Sequence, residues 1–339
     1  MQPRRRGPSC ALLVMLLLVA AVFPAKAAEL PSAQGLRRVS FIPQWTPQAQ
    51  FAGYYVAFQK GFYAARGLDV KILVGGPTKP SAQWLEKGRA DFATMFLSTA
   101  IVERAKGIKL VNIGQIVARS SQVLIAKKSS GIESIEDMNG KKVGLWGGGL
   151  SIMPMALFKA YGVHVVVVPQ SWSVNLFLRG GVDVVSAMMY NEYHAIFQAG
   201  VDPDQLVVFH LAGPLGFDVP EDGIYCMEST FKKHPETCRR FVEASIQGWR
   251  YAFAHPEEAL DIVMKYVNEA HIATNREQQK WMLEHMRKII GLPPPGGRPY
   301  RVKESDYTSI CGELRTDGLI QRIPSYSSLF RNCAAVHEK

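Results

Sequence analysis

Short apolar runs alternate with helical hydrophobic patterns along most of the chain. The runs are rich in β-branched residues and bounded by Gly, Pro or Asp, a pattern that predicts buried β-strands. These runs are Val70–Val74, Val143–Leu145, Val165–Val168 and Val182–Ala187. The spacing of apolar residues between them predicts helices over Gln48–Arg66, Ser81–Gly88 and Ile152–Tyr161. Strands that alternate with helices indicate an α/β fold with largely parallel sheets.

A helical region without strands follows two copies of this α/β pattern. The copies span about Val39–Ala118 and Ser129–Gly213, and the helical region runs from about Thr230 to Ile290. One face of its first long helix carries the apolar residues Val242, Ile246, Trp249 and Phe253. Because the helical region has no sheet of its own, we expect it to pack on the first copy.

Such packing requires the chain to leave a first lobe, build a second lobe and return. We therefore predict lobe one at residues 28–120 and 226–339, and lobe two at residues 121–225. The two interdomain crossings would form a hinge near Arg119–Val123 and Gly223–Cys226. A cleft between two α/β lobes is a favoured place for a ligand, so the predicted fold class is a two-lobed α/β protein with a ligand cleft.

The first 27 residues have the pattern of a secretory signal peptide. Three arginines, Arg4–Arg6, precede an uninterrupted apolar run from Ala11 to Phe23, and an Ala-x-Ala site ends at Ala27. These features are typical of exported proteins, whereas the alternative, a membrane anchor, needs about 20 apolar residues. We therefore expect export and cleavage after Ala27.

Composition and charge exclude two classes of protein. A hydrophobic share of 47% excludes an intrinsically disordered chain. Cleavage after Ala27 would remove four of the 39 basic residues and none of the 29 acidic ones, so the formal net charge would fall from +10 to +6. The remaining basic residues are dispersed rather than gathered in a stripe, so we expect no binding to nucleic acid.

Four cysteines follow the predicted cleavage site, at Cys226, Cys238, Cys311 and Cys333. In an oxidising compartment they permit two disulfides with three possible connectivities, of which we favour the local pairs Cys226–Cys238 and Cys311–Cys333. No group of cysteines and histidines has the spacing of a metal site. We therefore expect neither a metal nor a cofactor.

The most specific pattern in the chain runs from Gln44 to Val70, QWTPQAQFAGYYVAFQKGFYAARGLDV. Here the sequence resembles the periplasmic solute-binding proteins of the NMT1/THI5-like group. Further matches to the group are at Ala90–Ala93, Ser134–Lys142, Gly181–Val184 and Tyr190–Tyr193. The resemblance implies the type II periplasmic-binding-protein fold and a monomeric periplasmic protein, which delivers a small molecule to the permease and ATPase subunits of an ABC importer.

The resemblance also implies a class of ligand. The group includes binding proteins for thiamine pyrimidine precursors, and its relatives bind riboflavin, sulfonates or nitrate. We therefore expect a flat heteroaromatic ligand such as hydroxymethyl- or formylaminomethyl-pyrimidine, with riboflavin second and a sulfonate or nitrate third. A further alternative is an extracellular sensor that reuses the fold without a transporter.

One branch of the group consists of enzymes, which build the thiamine pyrimidine from an active-site histidine and bound pyridoxal phosphate. The position aligned with that histidine is Phe51, whose phenyl ring has no imidazole nitrogens. The cysteine-rich motif of the branch has no counterpart, because no two cysteines here are close in sequence. Hydrolase and metalloprotease motifs are also missing from the sequence, so we expect a binding protein rather than an enzyme.

The candidate ligand-binding residues fall at predicted strand ends and around the first helix. Aromatic rings at Trp45, Phe51 and Tyr54 would stack on a flat ligand, although such rings also suit the protein core. Glu192 follows a predicted strand and would accept a hydrogen bond from an exocyclic amine, the alternative being a surface salt bridge. The full set is Trp45, Gln50, Phe51, Tyr54, Phe96, Ser98, Gln115, Trp146, Gly147, Gly148, Tyr190, Asn191 and Glu192.

Some members of this set have equally good structural interpretations. Gly147 and Gly148 precede a predicted helix, so their N–H groups would hold a ligand oxygen or form only a tight turn. Trp146 is either a second stacking wall or part of the core between the lobes. Gln122 and Trp172 are weaker candidates outside the set.

Overall fold

Two five-stranded sheets organise the protein in the computed structural model, which describes residues 35–212, 219–292, 301–331 and 333. The predicted signal peptide lies outside these residues. The first sheet contains β1 (Arg37–Ile42), β2 (Leu68–Ile72), β3 (Phe92–Phe96), β4 (Leu110–Gln115) and β10 (Asp222–Met227). The second contains β5 (Gln122–Lys127), β6 (Lys142–Leu145), β7 (Val166–Pro169), β8 (Val184–Met188) and β9 (Leu206–His210). Each sheet forms the centre of one lobe.

Both sheets have the same strand order and are mixed, with four of the five strands in each running in the same direction. The orders are β2-β1-β3-β10-β4 and β7-β6-β8-β5-β9. In the first sheet β1 pairs in parallel with β2 and β3, and β10 pairs antiparallel with β3 and β4. The second sheet repeats this arrangement with β6 and β5. The expectation of largely parallel sheets therefore holds for four strands of each sheet. The exceptions are β5 and β10, which follow the two crossings between lobes and insert antiparallel.

The second crossing lies earlier than the sequence indicates. Strand β10 begins at Asp222 and is hydrogen-bonded to β3 and β4 of the first sheet. The predicted lobe boundary at residue 226 therefore falls inside a strand of lobe one. The predicted hinge segment Gly223–Cys226 is not a hinge, because its backbone is hydrogen-bonded to β3 on one side and to β4 on the other. The first crossing occupies residues 116–121, between β4 and β5.

Six short or medium helices cover the sheets before the second crossing. In lobe one they are α1 (Ala52–Gln59), α2 (Ser81–Glu86) and α3 (Leu97–Ala105); in lobe two they are α4 (Ile152–Ala160), α5 (Asn175–Leu178) and α6 (Glu192–Gln198). The continuous helix predicted over Gln48–Arg66 is instead α1 flanked by two separate 3-10 turns, Ala49–Phe51 and Ala64–Arg66. This break determines which residues of the segment face the cleft.

In the described residues after β10 there are six more helices, three of which build the core of lobe one. The helices are α7 (Glu228–Lys233), α8 (Pro235–Ala254), α9 (Pro256–Glu269), α10 (Arg276–Ile289), α11 (Glu304–Thr316) and α12 (Tyr326–Leu329). Helix α8 packs on α1 so closely that a Cβ atom on Gly53 would lie 2.2 Å from Cγ of Trp249. Trp249 is fully buried in a core shared with β1, α9 and α10, as expected of a helical region that packs on the first lobe.

The last helices also reach the second lobe. In a second core cluster Tyr307 and Leu314 of α11 are buried together with Leu157 of α4. The Nζ atom of Lys159, also on α4, donates a hydrogen bond to the Thr316 carbonyl oxygen at 3.1 Å. The end of the described chain therefore contacts both lobes rather than lobe one alone.

The predicted buried strand Val165–Val168 lies at the edge of its sheet. Because β7 has a neighbour on one side only, Val166 and Val167 are about half exposed, at 52% and 46%. The prediction that this run is buried is therefore wrong. A sequence run of valines does not distinguish a central strand from an edge strand.

All four described cysteines are buried free thiols. The predicted pair Cys226 and Cys238 is adjacent, with the sulfur atoms 4.0 Å apart. The other predicted pair is wrong, because Cys333 lies in the same core cluster as Cys226 and Cys238, whereas Cys311 lies in the other cluster against Tyr307. Proximity in sequence did not identify the neighbours of Cys333.

Candidate ligand-binding site

A cavity of about 240 Å³ opens between the lobes, where the carboxyl ends of β1, β3, β6 and β8 converge. Strand ends of this kind are the usual ligand position in α/β folds. Lobe one lines it with Gln44, Trp45, Gln48, Gln50, Gly76, Pro77, Pro80, Ser81, Ala82, Gln83, Met95, Phe96, Thr99 and Glu103. Lobe two lines it with Trp146, Gly147, Gly149, Leu150, Met188, Tyr190, Asn191 and Glu192.

Aromatic rings from both lobes form walls of this cavity. Trp45 follows β1 and meets Trp172 of lobe two edge-on, with ring centroids 6.4 Å apart. Trp146 follows β6, is 8% exposed, and donates a hydrogen bond from Nε1 to the Ser171 carbonyl oxygen at 3.1 Å. That bond fixes the orientation of the indole ring. Trp45 and Trp146, with Phe96 and Tyr190, therefore present rings on which a flat ligand would stack.

Glu192 is the buried carboxyl group of this cavity. It begins α6 directly after β8 and is 6% exposed. Its Oε2 atom accepts a hydrogen bond from the Met188 backbone N at 3.0 Å, and its Oε1 atom accepts one from Asn191 Nδ2 at 2.7 Å. Burial raises the pKa of Glu192 to about 7, although these hydrogen bonds act in the opposite direction. A carboxylate has about four acceptor positions, so Glu192 retains capacity for a ligand donor.

A second buried carboxyl group, Asp222, lies behind the cavity wall at the start of β10. It accepts hydrogen bonds from the side-chain amides of Gln50, at 2.8 Å, and Gln44. Gln48 in turn donates to Gln50 Oε1 at 2.6 Å, and Gln44 Oε1 accepts from the Phe96 backbone N at 3.1 Å. Burial raises the pKa of Asp222 to about 7 as well. Asp222 therefore anchors the glutamines that line lobe one.

The described lining of the site contains acidic groups but no basic ones, although Glu103 is paired with Lys106 outside the cavity lining. Burial raises the pKa of the Tyr190 hydroxyl, and the nearby carboxylates Glu221, Asp222 and Glu192 raise it further. Among the described residues that line the cavity there is no Lys, Arg or His, whereas Glu103 and Glu192 are acidic. The cavity therefore favours a ligand that is neutral or positively charged.

Ser81 offers a hydrogen-bonding group that the protein does not use. It begins α2, lines the cavity and is 7% exposed. In the part of the chain that the structure describes, its Oγ atom has no hydrogen-bond partner. Since buried polar atoms are nearly always paired, this hydroxyl is available to a ligand.

The structure brings eight of the thirteen candidate residues to the cavity. They are Trp45, Gln50, Phe96, Trp146, Gly147, Tyr190, Asn191 and Glu192. The weaker candidate Trp172 contacts Trp45 but is 62% exposed. Gln122 is buried and donates to the Leu150 carbonyl oxygen and to Ser186.

Four of the other candidate residues do not line the cavity. Phe51 and Tyr54 are wrong as stacking residues, because the turn at Ala49–Phe51 directs them into the core, where the Tyr54 ring lies 4.7 Å from that of Phe41. Gln115 uses its side-chain amide to bond the carbonyl oxygens of Val117 and Glu221. Ser98, the fourth, is not among the lining residues either. The surroundings of Gly148 lie outside what the structure describes.

Sequence reasoning missed Gln44, Gln48, Ser81 and Asp222. Asp222 gave no signal because its partners Gln44 and Gln50 are 178 and 172 positions away. Gly149 ends the run of three glycines at residues 147–149. The structure explains why a glycine stands there, because lobe one approaches its backbone closely. A Cβ atom there would lie 2.1 Å from Thr99 Oγ1 of lobe one. That glycine therefore permits contact between the lobes.

Comparison with known proteins identifies the family. The family model described as NMT1/THI5 like matches residues 48–259, which is more than half of the chain. The chain belongs to the NMT1/THI5-like family. The match includes the 3-10 turn and helix α1 at its start and most of the lining residues of both lobes.

Curated relatives of this NMT1/THI5-like protein include binding proteins and enzymes. A riboflavin-binding protein, RibY, from Chloroflexus aurantiacus is 26% identical over 81% of this chain and 82% of its own length. A formylaminopyrimidine-binding protein from Halalkalibacterium halodurans is 24% identical over 78% of this chain and 82% of its own. A 4-amino-5-hydroxymethyl-2-methylpyrimidine phosphate synthase from Legionella pneumophila is 27% identical over 67% of this chain and 72% of its own.

Solved structures show the same fold. The periplasmic aliphatic sulphonate binding protein SsuA from Escherichia coli superposes with a TM-score of 0.67 and 14% identity, over 86% of this chain and 91% of its own. The family member described here therefore has the periplasmic-binding-protein fold, as predicted. In the described residues no helix is both long and apolar enough to cross a membrane, and no group of acidic, histidine or cysteine side chains is arranged to hold a metal ion.

Proposed function

We propose that this protein is the extracytoplasmic solute-binding component of an ABC importer, and that its ligand is a small aromatic ring with an exocyclic amine. Hydroxymethyl- and formylaminomethyl-pyrimidine, precursors of the thiamine pyrimidine, have this chemistry. The observation that carries the proposal is Glu192, a buried carboxyl group in an interlobe cavity with aromatic walls and no basic residue among its described lining.

An aminopyrimidine matches the groups that surround this cavity. Its flat ring would stack on Trp45 or Trp146, and each such contact contributes about 0.5–1.5 kcal/mol beyond area burial. Its amine would donate to the Glu192 carboxylate, and a hydrogen bond to a charged acceptor is about twice as strong as a neutral one. The unpaired Ser81 hydroxyl supplies a further partner for a hydroxymethyl or formyl oxygen.

The charge of the cavity argues against an anionic ligand. A sulfonate or nitrate needs several positive or N–H donor groups around its oxygens. The described lining instead contains Glu103 and Glu192. This chain therefore differs in ligand chemistry from the sulphonate-binding protein that shares its fold.

The size of the cavity favours a ligand smaller than riboflavin. At about 240 Å³ it is below the range of about 300–1,000 Å³ that is common for drug-sized ligands. A single pyrimidine ring suits that volume better than the three fused rings and ribityl chain of a flavin. Riboflavin is retained as an alternative because a curated relative is named as a riboflavin-binding protein.

The enzyme alternative depends on the position of Phe51. The residue aligned with the catalytic histidine of the synthase branch is a fully buried phenylalanine, packed in the same core cluster as Trp249 and Met282. A side chain in that place neither reaches the cavity nor donates atoms to a product. We therefore favour a binding protein, and purified protein should lack the absorbance band of bound pyridoxal phosphate.

Thermal unfolding of the mature protein against a ligand panel tests the proposal. The panel contains hydroxymethylpyrimidine, formylaminomethylpyrimidine, riboflavin, taurine and nitrate. A ligand at 100 times its Kd stabilises the fold by about 2.7 kcal/mol, which raises Tm by a few degrees. We expect this shift with an aminopyrimidine. A shift with taurine or nitrate alone would overturn the ligand class, and a shift with riboflavin alone would favour the second candidate.

The importer partners and location belong to the same proposal. A monomeric periplasmic protein would present the closed pair of lobes to the permease and ATPase subunits, with closure driven by the ligand's higher affinity for the closed state. Small-angle scattering with and without saturating aminopyrimidine measures that closure. A sensor without a transporter would bind the same ligand but would not stimulate the ATPase of a reconstituted importer.

A further inference from the structure

Helix α10 of lobe one supports one wall of the cavity. The Gln279 Oε1 atom accepts a hydrogen bond from the Ala49 backbone N at 2.7 Å. The Met282 sulfur accepts one from the Gln50 backbone N at 3.2 Å. Ala49 and Gln50 belong to the turn that separates the lining residues from α1. The position of that turn therefore depends on α10.

The same helix contacts lobe two just before Glu192. Trp281 donates a hydrogen bond from Nε1 to the Met189 carbonyl oxygen at 2.8 Å. The His194 ring is stacked on the Trp281 ring, with centroids 4.6 Å apart and planes 10° apart. Gln198 of α6 reaches Asn275, the N-cap of α10, at 3.3 Å. These contacts join the lobes at the segment that carries Glu192.

Gln278 is the member of this interface that is linked to Glu192. It is 5% exposed, and its Nε2 atom donates to both the carbonyl oxygen and the Oδ1 atom of Asn191, at 3.0 Å and 2.9 Å. The opposite end of its amide, Oε1, is 2.6 Å from His194 Nδ1. Asn191 then donates from Nδ2 to Glu192 Oε1 at 2.7 Å.

A side-chain amide has one oxygen end and one nitrogen end, so fixing one end fixes the other. Gln278 holds the Oδ1 end of Asn191, and this directs the Nδ2 end to Glu192. We propose that Gln278 is a positioning residue, which uses Asn191 to orient the Glu192 carboxylate for a ligand amine when the lobes are in contact. The proposal rests on the proposed function, because it assigns to Gln278 a role in that same site.

This arrangement links the conformation of the protein to its ligand specificity. Gln278 comes from lobe one, whereas Asn191 and Glu192 come from lobe two, so the hydrogen-bond chain is complete only when the lobes meet. In an open form Asn191 loses the donor that sets its orientation. Recognition of the amine and contact between the lobes therefore reinforce each other.

The variant Gln278→Met tests the role, because methionine keeps the length of the side chain and removes both hydrogen-bonding ends. Gln198→Met is the matched control, since it removes an amide from the same interface without a bond to Asn191. The probes are hydroxymethylpyrimidine and an analogue with hydrogen in place of its exocyclic amine. We expect Gln278→Met to reduce the affinity ratio of the two probes by about tenfold, and Gln198→Met to leave the ratio unchanged.

A ligand-free measurement separates this proposal from the proposed function. In protein with ¹³C-labelled glutamate carboxyl groups, assigned with Glu192→Gln, the pKa of Glu192 should rise in Gln278→Met and stay constant in Gln198→Met. An equal loss of affinity for both probes, with an unchanged pKa, would mean that Gln278 only holds the lobes together and would overturn the proposal. If the parent protein binds neither probe, the proposed ligand class fails and the carboxyl titration alone decides the role of Gln278.

Discussion

Asp222 and Glu192 are both buried carboxyl groups beside the cavity, but their surroundings give them different roles. Asp222 accepts hydrogen bonds from the amides of Gln44 and Gln50, and both donors belong to its own lobe. Glu192 accepts hydrogen bonds from the Asn191 side-chain amide and from the backbone N–H groups of Met188 and of Glu192 itself. Glu192 lines the cavity, whereas Asp222 lies behind the glutamines that line it.

The difference shows how a buried carboxyl group becomes a ligand-binding group. Burial raises both pKa values to about 7, so a shifted pKa does not by itself distinguish the two roles. The protein supplies a donor at each oxygen of both groups, so what distinguishes them is that Glu192 lines the cavity and Asp222 does not. Asp222 thus anchors the glutamines of its own lobe, and Glu192 is the carboxyl group that we propose for the ligand amine.

The largest expected effect is on stability, in Asp222→Ala. This variant leaves the side-chain amides of Gln44 and Gln50 without an acceptor, so the free energy of unfolding at pH 6 should fall by about 2–4 kcal/mol. Urea denaturation measures the change. Asp69→Ala is the control, because Asp69 is 56% exposed and 3.6 Å from Arg38, and it should change stability by less than about 0.5 kcal/mol. If the two variants lowered the free energy of unfolding equally, Asp222 would not be an anchor for Gln44 and Gln50.

The next effect is on affinity, in Glu192→Gln. Loss of the carboxylate should weaken the binding of hydroxymethylpyrimidine by about 1.5–3 kcal/mol, or roughly 10- to 100-fold in Kd, with little loss of protein stability. Calorimetric titration measures the affinity, and Glu133→Gln at an exposed position is the control. An affinity equal to that of the parent would exclude Glu192 from the site and make the two carboxyl groups equivalent.

The sequence predicted the architecture better than it predicted the wall of the cavity. Alternation of strands and helices, followed by a helical region without strands, was sufficient for two lobes and a cleft. It did not reveal that β5 and β10 insert antiparallel, because strand direction depends on pairing between distant segments. The lobe boundary at 226 failed for the same reason, since Asp222–Met227 belongs to the first sheet only through its partners β3 and β4.

Sequence predicted the lining residues correctly where their place directly after a strand end puts them at the cavity. Glu192 and Asn191 were expected at the cavity because they follow a strand that ends there. Trp45 and Tyr54 were both predicted to stack on a ligand, but the turn at Ala49–Phe51 separates the ring that lines the cavity from the ring that packs in the core. Whether an aromatic residue faces a ligand or the core thus depends on a backbone break that hydrophobic spacing does not encode.

The smallest expected effect is the pH dependence of binding, which follows Glu192 and not Asp222. A folded-state pKa raised to about 7 means that the fold favours the protonated carboxyl, so both groups stabilise the ligand-free protein below about pH 4 and this contribution is lost as pH rises through 7. An amine donor needs the ionised carboxylate, so affinity for hydroxymethylpyrimidine should be about tenfold weaker at pH 6 than at pH 8.

Glu192→Gln separates the two pH dependences. In this variant affinity should no longer change between pH 6 and pH 8, while stability should still fall over the same range because Asp222 continues to titrate. Calorimetric titration and urea denaturation at the two pH values measure both quantities in the same protein. If the affinity of Glu192→Gln still depended on pH, another titrating group would control binding. Asp222, whose pKa is also raised to about 7, would then be the next residue to substitute.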